Sequence, residues 1–282
     1  MSRICDPIRF SSEARMPAET LQQRIEAIPV LRTLLKALYK KRFSGNAWGA
    51  FYGVYENFGE ANRDAPRTKP LGFNNAAYGQ EFEDRLSRAL SFDYPVMFWL
   101  GQLIEAGTRV FDYGGHRGTN FYAYSRYLDY PEDFQWIVCD LPEIVKAGQE
   151  LARRENRSEI SFTTLFSEAS GVQILLAAGS LQYIEAPPFA VSLAALPVRP
   201  QHLLLNKLPL YEGNQIVTLQ NGGPAFHPQY VFNRRDFVDS ICATGYELID
   251  QWDVPSHPGR IPFHPEASFR SHTGLYLRLK NL

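Results

Sequence analysis

Two carboxylates and a run of glycines make the strongest chemical statement in this chain. Asp112-Tyr113-Gly114-Gly115-His116-Arg117-Gly118 places an acid ahead of three glycines. Glycine lacks a Cβ, so such a backbone can turn sharply and approach a ligand closely. The acid can receive a cationic group. Asp140, followed by Leu141, ends the apolar stretch 135–139. A carboxylate there has two oxygens that can accept a pair of neighbouring hydroxyls, such as those of a ribose. Asp is also a good helix N-cap, and both roles fit. Gly179-Ser180-Leu181-Gln182-Tyr183 follows another apolar run. Its position suits a pocket wall, or a helix-starting turn with Tyr183 packed inward. His227 and His264 are the candidate general bases. His227 comes first because 220–230 reads as a long loop, where functional residues concentrate. Its alternative is a surface histidine beside Pro228.

Loop spacing separates the possible ligands. A dinucleotide fold needs G-x-G-x-x-G, but counting from Gly114 puts His116 and Thr119 at the later glycine positions. A phosphate loop needs Gly-Lys-Ser/Thr, which does not occur. The pattern acidic-x-G-x-x-x-G suits S-adenosyl-L-methionine (SAM), whose amino group Asp112 would help receive. Methyl transfer from a sulfonium mainly demands alignment of donor and acceptor, and a hydroxyl acceptor also needs a base. Asn206, Tyr211 and Asn221 could orient a polyol, or equally satisfy loop backbone. No compact metal-ligand motif occurs, so no metal is expected.

These groups need a scaffold that gathers strand ends. Strands are predicted at 109–113, 135–139, 160–164, 173–178, 202–206, 246–252 and 273–279. Helices are predicted at 119–128, 142–156 and 188–196, and after Asn233 as far as Gly245. Alternating strand and helix imply a parallel sheet covered on both faces. The connection 253–271 has no helical pattern and contains four prolines, so the last strand should return antiparallel. The expectation is an α/β, Rossmann-like, seven-stranded class I methyltransferase sheet over residues 106–282.

Residues 1–105 read as a helical N-terminal region. Leu21, Ile25, Ile28, Leu31, Leu34, Leu35 and Leu38 recur at helical spacing. Pro17 and Pro29 can each open a helix. The aromatic stretch 48–58 precedes a polar loop, 59–70. Residues 76–105 read as helix again, interrupted at Pro95.

Composition narrows the function class. The chain has 282 residues, 45% hydrophobic and 21% charged, with net charge −1. Nothing there supports a nucleic-acid partner. Three cysteines make no disulfide framework. No apolar run reaches the length of a membrane span, and a cytoplasmic location is the default expectation. The segment 31–42 is basic and amphipathic, which suits a solvated face or, less commonly, an anionic membrane surface.

With these residues in place, the sequence resembles a poorly characterised family of SAM-dependent methyltransferases often encoded among surface-polysaccharide genes. The matching segments are FDYGGHRGT (111–119), VCDLPEIVKAGQELA (138–152) and AAGSLQYIEAP (177–187). Further on are NKLPLYEG (206–213), TLQNGGPAFHPQYVFNRRDF (218–237) and IPFHPE (261–266). They cover most of 109–279. The resemblance implies SAM as cofactor, S-adenosylhomocysteine as product, and a small-molecule or glycan acceptor. It implies cofactor contacts from Asp112, Gly114, Gly115, His116, Gly118, Asp140, Leu141, Gly179 and Ser180. The acceptor side would draw on His227, His264 and Tyr183. The family's loop usually has glycine where this chain has His116. The alternative is therefore a catalytically silent SAM-fold binding protein.

Overall fold

The computed structural model describes residues 29–73, 83–185, 187–254 and 258–280. Its first elements are helix α1 (Pro29–Phe43), strand β1 (Phe51–Tyr55) and helices α2 (Phe58–Asp64) and α3 (Tyr94–Leu103). Strands and helices then alternate. They are β2 (Arg109–Tyr113), α4 (Thr119–Tyr124), β3 (Gln135–Cys139), α5 (Pro142–Arg154), β4 (Ile160–Thr163), β5 (Ile174–Ala178), α6 (Phe189–Ala194) and β6 (His202–Leu208). Next come β7 (Leu210–Tyr211), β8 (Ile216–Asn221) and β9 (Phe226–Asn233). The remaining elements are α7 (Arg234–Cys242), β10 (Tyr246–Val254) and β11 (His272–Leu279).

Seven strands form one sheet in the order β10-β11-β6-β5-β2-β3-β4. Strands β2 to β6 pair in parallel. Strand β11 is antiparallel to both β10 and β6. This is the class I methyltransferase order, as the alternating pattern predicts. Its core follows from a side-chain period of two. Phe111, Leu175, Leu203 and Leu205 face one layer, and Val110, Ile174, Leu176 and Leu204 face the other. Central strand β5, Ile-Leu-Leu-Ala-Ala, is apolar throughout because both of its faces are covered.

A second sheet, β1-β8-β9-β7, is inserted between β6 and α7 and draws β1 from the N-terminal region. It corrects three expectations. The region expected to be helical contributes a strand. Residues 59–70 do not form one loop: 59–64 complete α2, whose cap Asn57 accepts a 2.9 Å bond from the Glu60 amide, and only 65–70 remain outside regular structure. Residues 220–230 are not a loop but most of a hairpin turning at Gly223 (φ +87°). In β8, Val217 and Leu219 alternate onto one face and pack in one cluster with Phe43, Phe58 and Phe226. Strand β1, which completes the pairing, lies far away in sequence.

Other differences are local. Pro95 does not interrupt a helix but sits in the first turn of α3, where its missing N–H costs nothing. Short 3-10 turns at Glu83–Ser87 and Ser91–Asp93 precede it. Leu141, not Asp140, is the N-cap of α5. Asn233 does cap α7, accepting from the Asp236 amide at 2.8 Å. The helix expected around Leu21, Ile25 and Ile28, the segment 74–82 and His257 lie outside the described residues. Part of the basic face of α1 is engaged within the protein. Arg32 donates to the Phe263 carbonyl (2.8 Å), Lys36 lies over the Phe263 ring, and Lys40 pairs with Asp64 (2.6 Å). Among the described residues no helix is long and apolar enough to cross a membrane.

One cross-sheet contact ties the scaffold to the strand ends. Trp252 lies opposite Gly274, and a Cβ on that glycine would overlap its indole. Only a glycine lets the indole lie flat there and donate to Asn206 Oδ1 (3.1 Å). Asn206 Nδ2 in turn donates to the Phe92 carbonyl (2.9 Å). Gly274→Ala is expected to lower the unfolding free energy by about 1–3 kcal/mol through overpacking. Urea denaturation measures this, and an unchanged midpoint would show that the indole has room to move.

Candidate functional site

The glycine loop joins β2 to α4 above a carboxylate. Asp112 has no solvent exposure. Its oxygens accept from Asn120 Nδ2 (3.3 and 3.4 Å) and Trp136 Nε1 (3.2 Å). Burial pushes its carboxyl up to about 7, and those two donors pull it partly back. Gly115 presses on it so closely that a Cβ would overlap the carboxylate. Gly114 (φ +74°) is similarly confined by Ser180. Gly118 (φ +84°) is confined as well, by Ile160, so all three glycines stand in close approach, as the spacing suggests.

His116 holds φ +55°, a conformation histidine tolerates better than most residues. Its amide donates to Asp140 Oδ2 at 2.8 Å, and the Leu141 amide donates to Oδ1 at 2.7 Å. Asp140 therefore pins the loop after β2 to the start of α5. Burial raises its pKa, and the two backbone donors oppose the rise. Each oxygen uses one lone pair in this way and keeps another for a ligand hydroxyl. Beside it Leu141 is 38% exposed, an apolar face on the same rim. Ile144, one turn on, packs with Ala225 and Phe73.

The turn after β5 closes the other side. Ser180 donates through Oγ to the Tyr113 carbonyl. Gly179 has φ +88° and lies under the Lys207 side chain. Tyr183 donates to Gln220 Oε1 at 2.5 Å and meets the rings of Phe73 and His227 edge-on. His227 stacks on Phe73, with centroids 3.8 Å apart. Gln220 and His227 are directly opposed across β8 and β9. The inserted sheet thus brings His227, Gln220 and Tyr183 together. Burial holds the His227 imidazole down at about 4 and the Tyr183 phenol above its usual range.

His264 is placed elsewhere, in the β10–β11 connection, 3.2 Å from Glu266. His272 is buried against Phe269. The three polyol candidates are held by the protein itself. Asn206 joins Phe92 to Trp252, Tyr211 donates to the Asn214 carbonyl, and Asn221 donates to the Phe43 (2.6 Å) and Gly45 (3.0 Å) carbonyls. Lys207 is the residue sequence reasoning passed over. Its signal was a lysine two positions beyond the apolar run Leu203-Leu204-Leu205. Among the described residues no group of His, Cys, Asp and Glu could hold a metal.

No family model matches the chain, and no curated protein matches its sequence. Among solved structures it is similar to the 1,6-didemethyltoxoflavin-N1-methyltransferase of Burkholderia thailandensis, crystallised with 1,6-didemethyltoxoflavin and S-adenosylhomocysteine. Identity is 14% over 90% of each chain, with a TM-score of 0.47. A SAM dependent methyltransferase from Aquifex aeolicus is 13% identical over 74% of this chain and all of that one (100%), at 0.47. The cyclase SpnF is 14% identical over 93% of this chain and 97% of its own, at 0.44. Likeness of this degree carries no argument about activity, and the class I fold stands on strand order.

The buried imidazole makes a prediction for stability. An unfolded chain protonates His227 near 6.5, the folded chain only near 4. Between those values the unfolded state binds more protons, so stability rises with pH. His227 therefore costs nothing above about pH 6.5 and progressively destabilises as pH falls toward 4, by about 3 kcal/mol in all. His227→Gln should flatten the loss of Tm between pH 7 and pH 4.5. A variant that follows the wild-type acid limb would contradict the burial.

Proposed function

We propose that the protein is a SAM-dependent methyltransferase acting on a small-molecule or carbohydrate hydroxyl. The observation that carries this reading is the Asp140 carboxylate bound by the backbone of both the glycine loop and the start of α5. It stands where ligands of open α/β sheets bind, beyond the carboxyl ends of the strands. The surroundings fit the cofactor. Gly114 and Gly115 leave room that a Cβ would fill, and the buried Asp112 carboxyl gains a reason to ionise when a cation approaches.

In this reading Asp140 takes the ribose hydroxyls and Leu141 the adenine face. Gly114, Gly115, His116 and Gly118 line the methionine side with Asp112, and Gly179 and Ser180 close it. The bound cofactor supplies a methyl group that is already activated. The protein's own task is alignment and the fate of one proton. His227, unprotonated at neutral pH, accepts that proton from the acceptor hydroxyl. Tyr183, bonded to Gln220, positions the acceptor, and Phe73 holds the imidazole plane by stacking. His264, held beside Glu266 in the β10–β11 connection, has no part in this arrangement.

One observation favours a catalytically silent binding protein instead. Burial makes His227 a weak base, and general-base catalysis works best with a pKa near the operating pH. The two readings share cofactor binding and part on turnover of a methyl-labelled cofactor with sugar acceptors.

S-adenosylhomocysteine at a hundredfold excess over its Kd should stabilise the protein by about 2.7 kcal/mol, seen as a Tm rise of several degrees. No rise at millimolar ligand would sink the cofactor reading, and Asp140→Ala should abolish it. His116→Gly should bind S-adenosylhomocysteine at least as well as the wild type, because glycine adopts the same φ without strain. Calorimetry showing markedly weaker binding would mean that the histidine side chain itself contacts the cofactor.

A further inference from the structure

Lys207 departs from the regular path of its strand. Opposite β6, Thr273 faces Leu208 and Leu275 faces Leu205, so Asn206 and Lys207 together oppose Gly274 alone. This is a β-bulge, a device that re-aims a side chain and is frequent beside active sites. Lys207 carries the bulge at φ +56°. Glycine would suit that conformation, and any residue with a Cβ is strained in it. Strain of this kind persists where the surroundings enforce it, and it clusters at ligand clamps and active sites.

The bulge lays the lysine across the turn after β5. A Cβ built on Gly179 would lie 2.9 Å from Lys207 Cε and 3.4 Å from Nζ. The ammonium stands 5.0 Å from the centroid of the Phe92 ring. Three charged groups and burial define its field. Burial disfavours the charge and brings the pKa down to about 8; Asp93 and Asp112 support the charge and Arg85 opposes it. Neither acid neutralises it directly. Asp93 is occupied by Arg85 (3.0 Å), the Leu90 amide (2.7 Å) and Tyr124 (3.2 Å), and Asp112 by Asn120 and Trp136. Among the described residues no carboxylate forms an ion pair with Lys207. Lys207 is half-buried, and an ammonium held there without an ion-pair partner is suited to an anion from a ligand.

The cofactor reading above supplies one. A methionine end carries an ammonium, suited to Asp112, and a carboxylate that the acids of this cleft repel. We propose that Lys207 is a cofactor-positioning residue that receives the α-carboxylate of that methionine end, and that the β6 bulge exists to deliver it there. The assignment depends on the protein binding SAM.

The test is calorimetry on the full chain with two probes, S-adenosylhomocysteine and 5′-methylthioadenosine. The second keeps the adenosine and thioether but lacks the amino-acid end. Lys207→Met should weaken S-adenosylhomocysteine by about tenfold, the worth of one charge-assisted hydrogen bond. It should leave methylthioadenosine within about twofold of wild type. Lys207→Gly, which relieves the strained φ, should lose the same affinity while its Tm stays at or above that of the wild type. Equal weakening of both probes, or none of either, overturns the assignment. Failure of the wild type to bind either probe overturns the cofactor reading and this assignment with it.

Discussion

A carboxylate removed from water must be matched by protein donors or lose its charge. Asp112 is such a group, and much of the cleft is arranged around it. Asn120 reaches it from α4 and Trp136 from β3, so its donors come from the elements that follow the glycine loop. Gly115 lies against it with no space for a side chain. The result is a carboxyl held near neutrality, with its pKa pushed to about 7. A cation arriving at this point would shift the balance toward the ionised form.

The loop above it is held from two directions. Asp140 accepts from His116 on the loop and from Leu141 at the start of α5. Ser180, from the turn after β5, donates to Tyr113. Three strand ends are therefore cross-braced by polar bonds rather than by apolar packing alone. Polar bracing fixes direction as well as distance. Of the five non-glycine residues at positive φ among the described residues, two, His116 and Lys207, stand at this rim.

The inserted sheet gives the cleft its second wall. Its His227 and Gln220 are cross-strand partners, and both meet Tyr183 on the turn after β5. His227 therefore lies in a paired strand, stacked on Phe73 and 1% exposed. Its expected chemistry changes with that setting. A loop histidine would titrate near its ordinary value, whereas this one is kept neutral by burial. Asn206, Tyr211 and Asn221 show the converse. Their amides and hydroxyl bond to the protein, an engagement that only the folded chain reveals.

Local sequence determined the seven-stranded sheet, the glycine loop and Asp140 at its strand end. Each depends on a short-range rule: apolar periodicity, glycine where the backbone turns, an acid at the close of a strand. The proline-rich connection before β11 even announced the reversed last strand. Tertiary structure alone decided the rest. Strand β1 pairs with β8 across a long separation, and nothing local to either segment records the other. Without that pairing residues 220–230 read as a loop, because Asn221-Gly222-Gly223-Pro224 and Pro228 are turn-forming residues. The β6 bulge is likewise invisible, since it exists only as a mismatch in register with β11. Positions on one strand follow from its own period, but which groups converge on a site follows from pairing between distant segments.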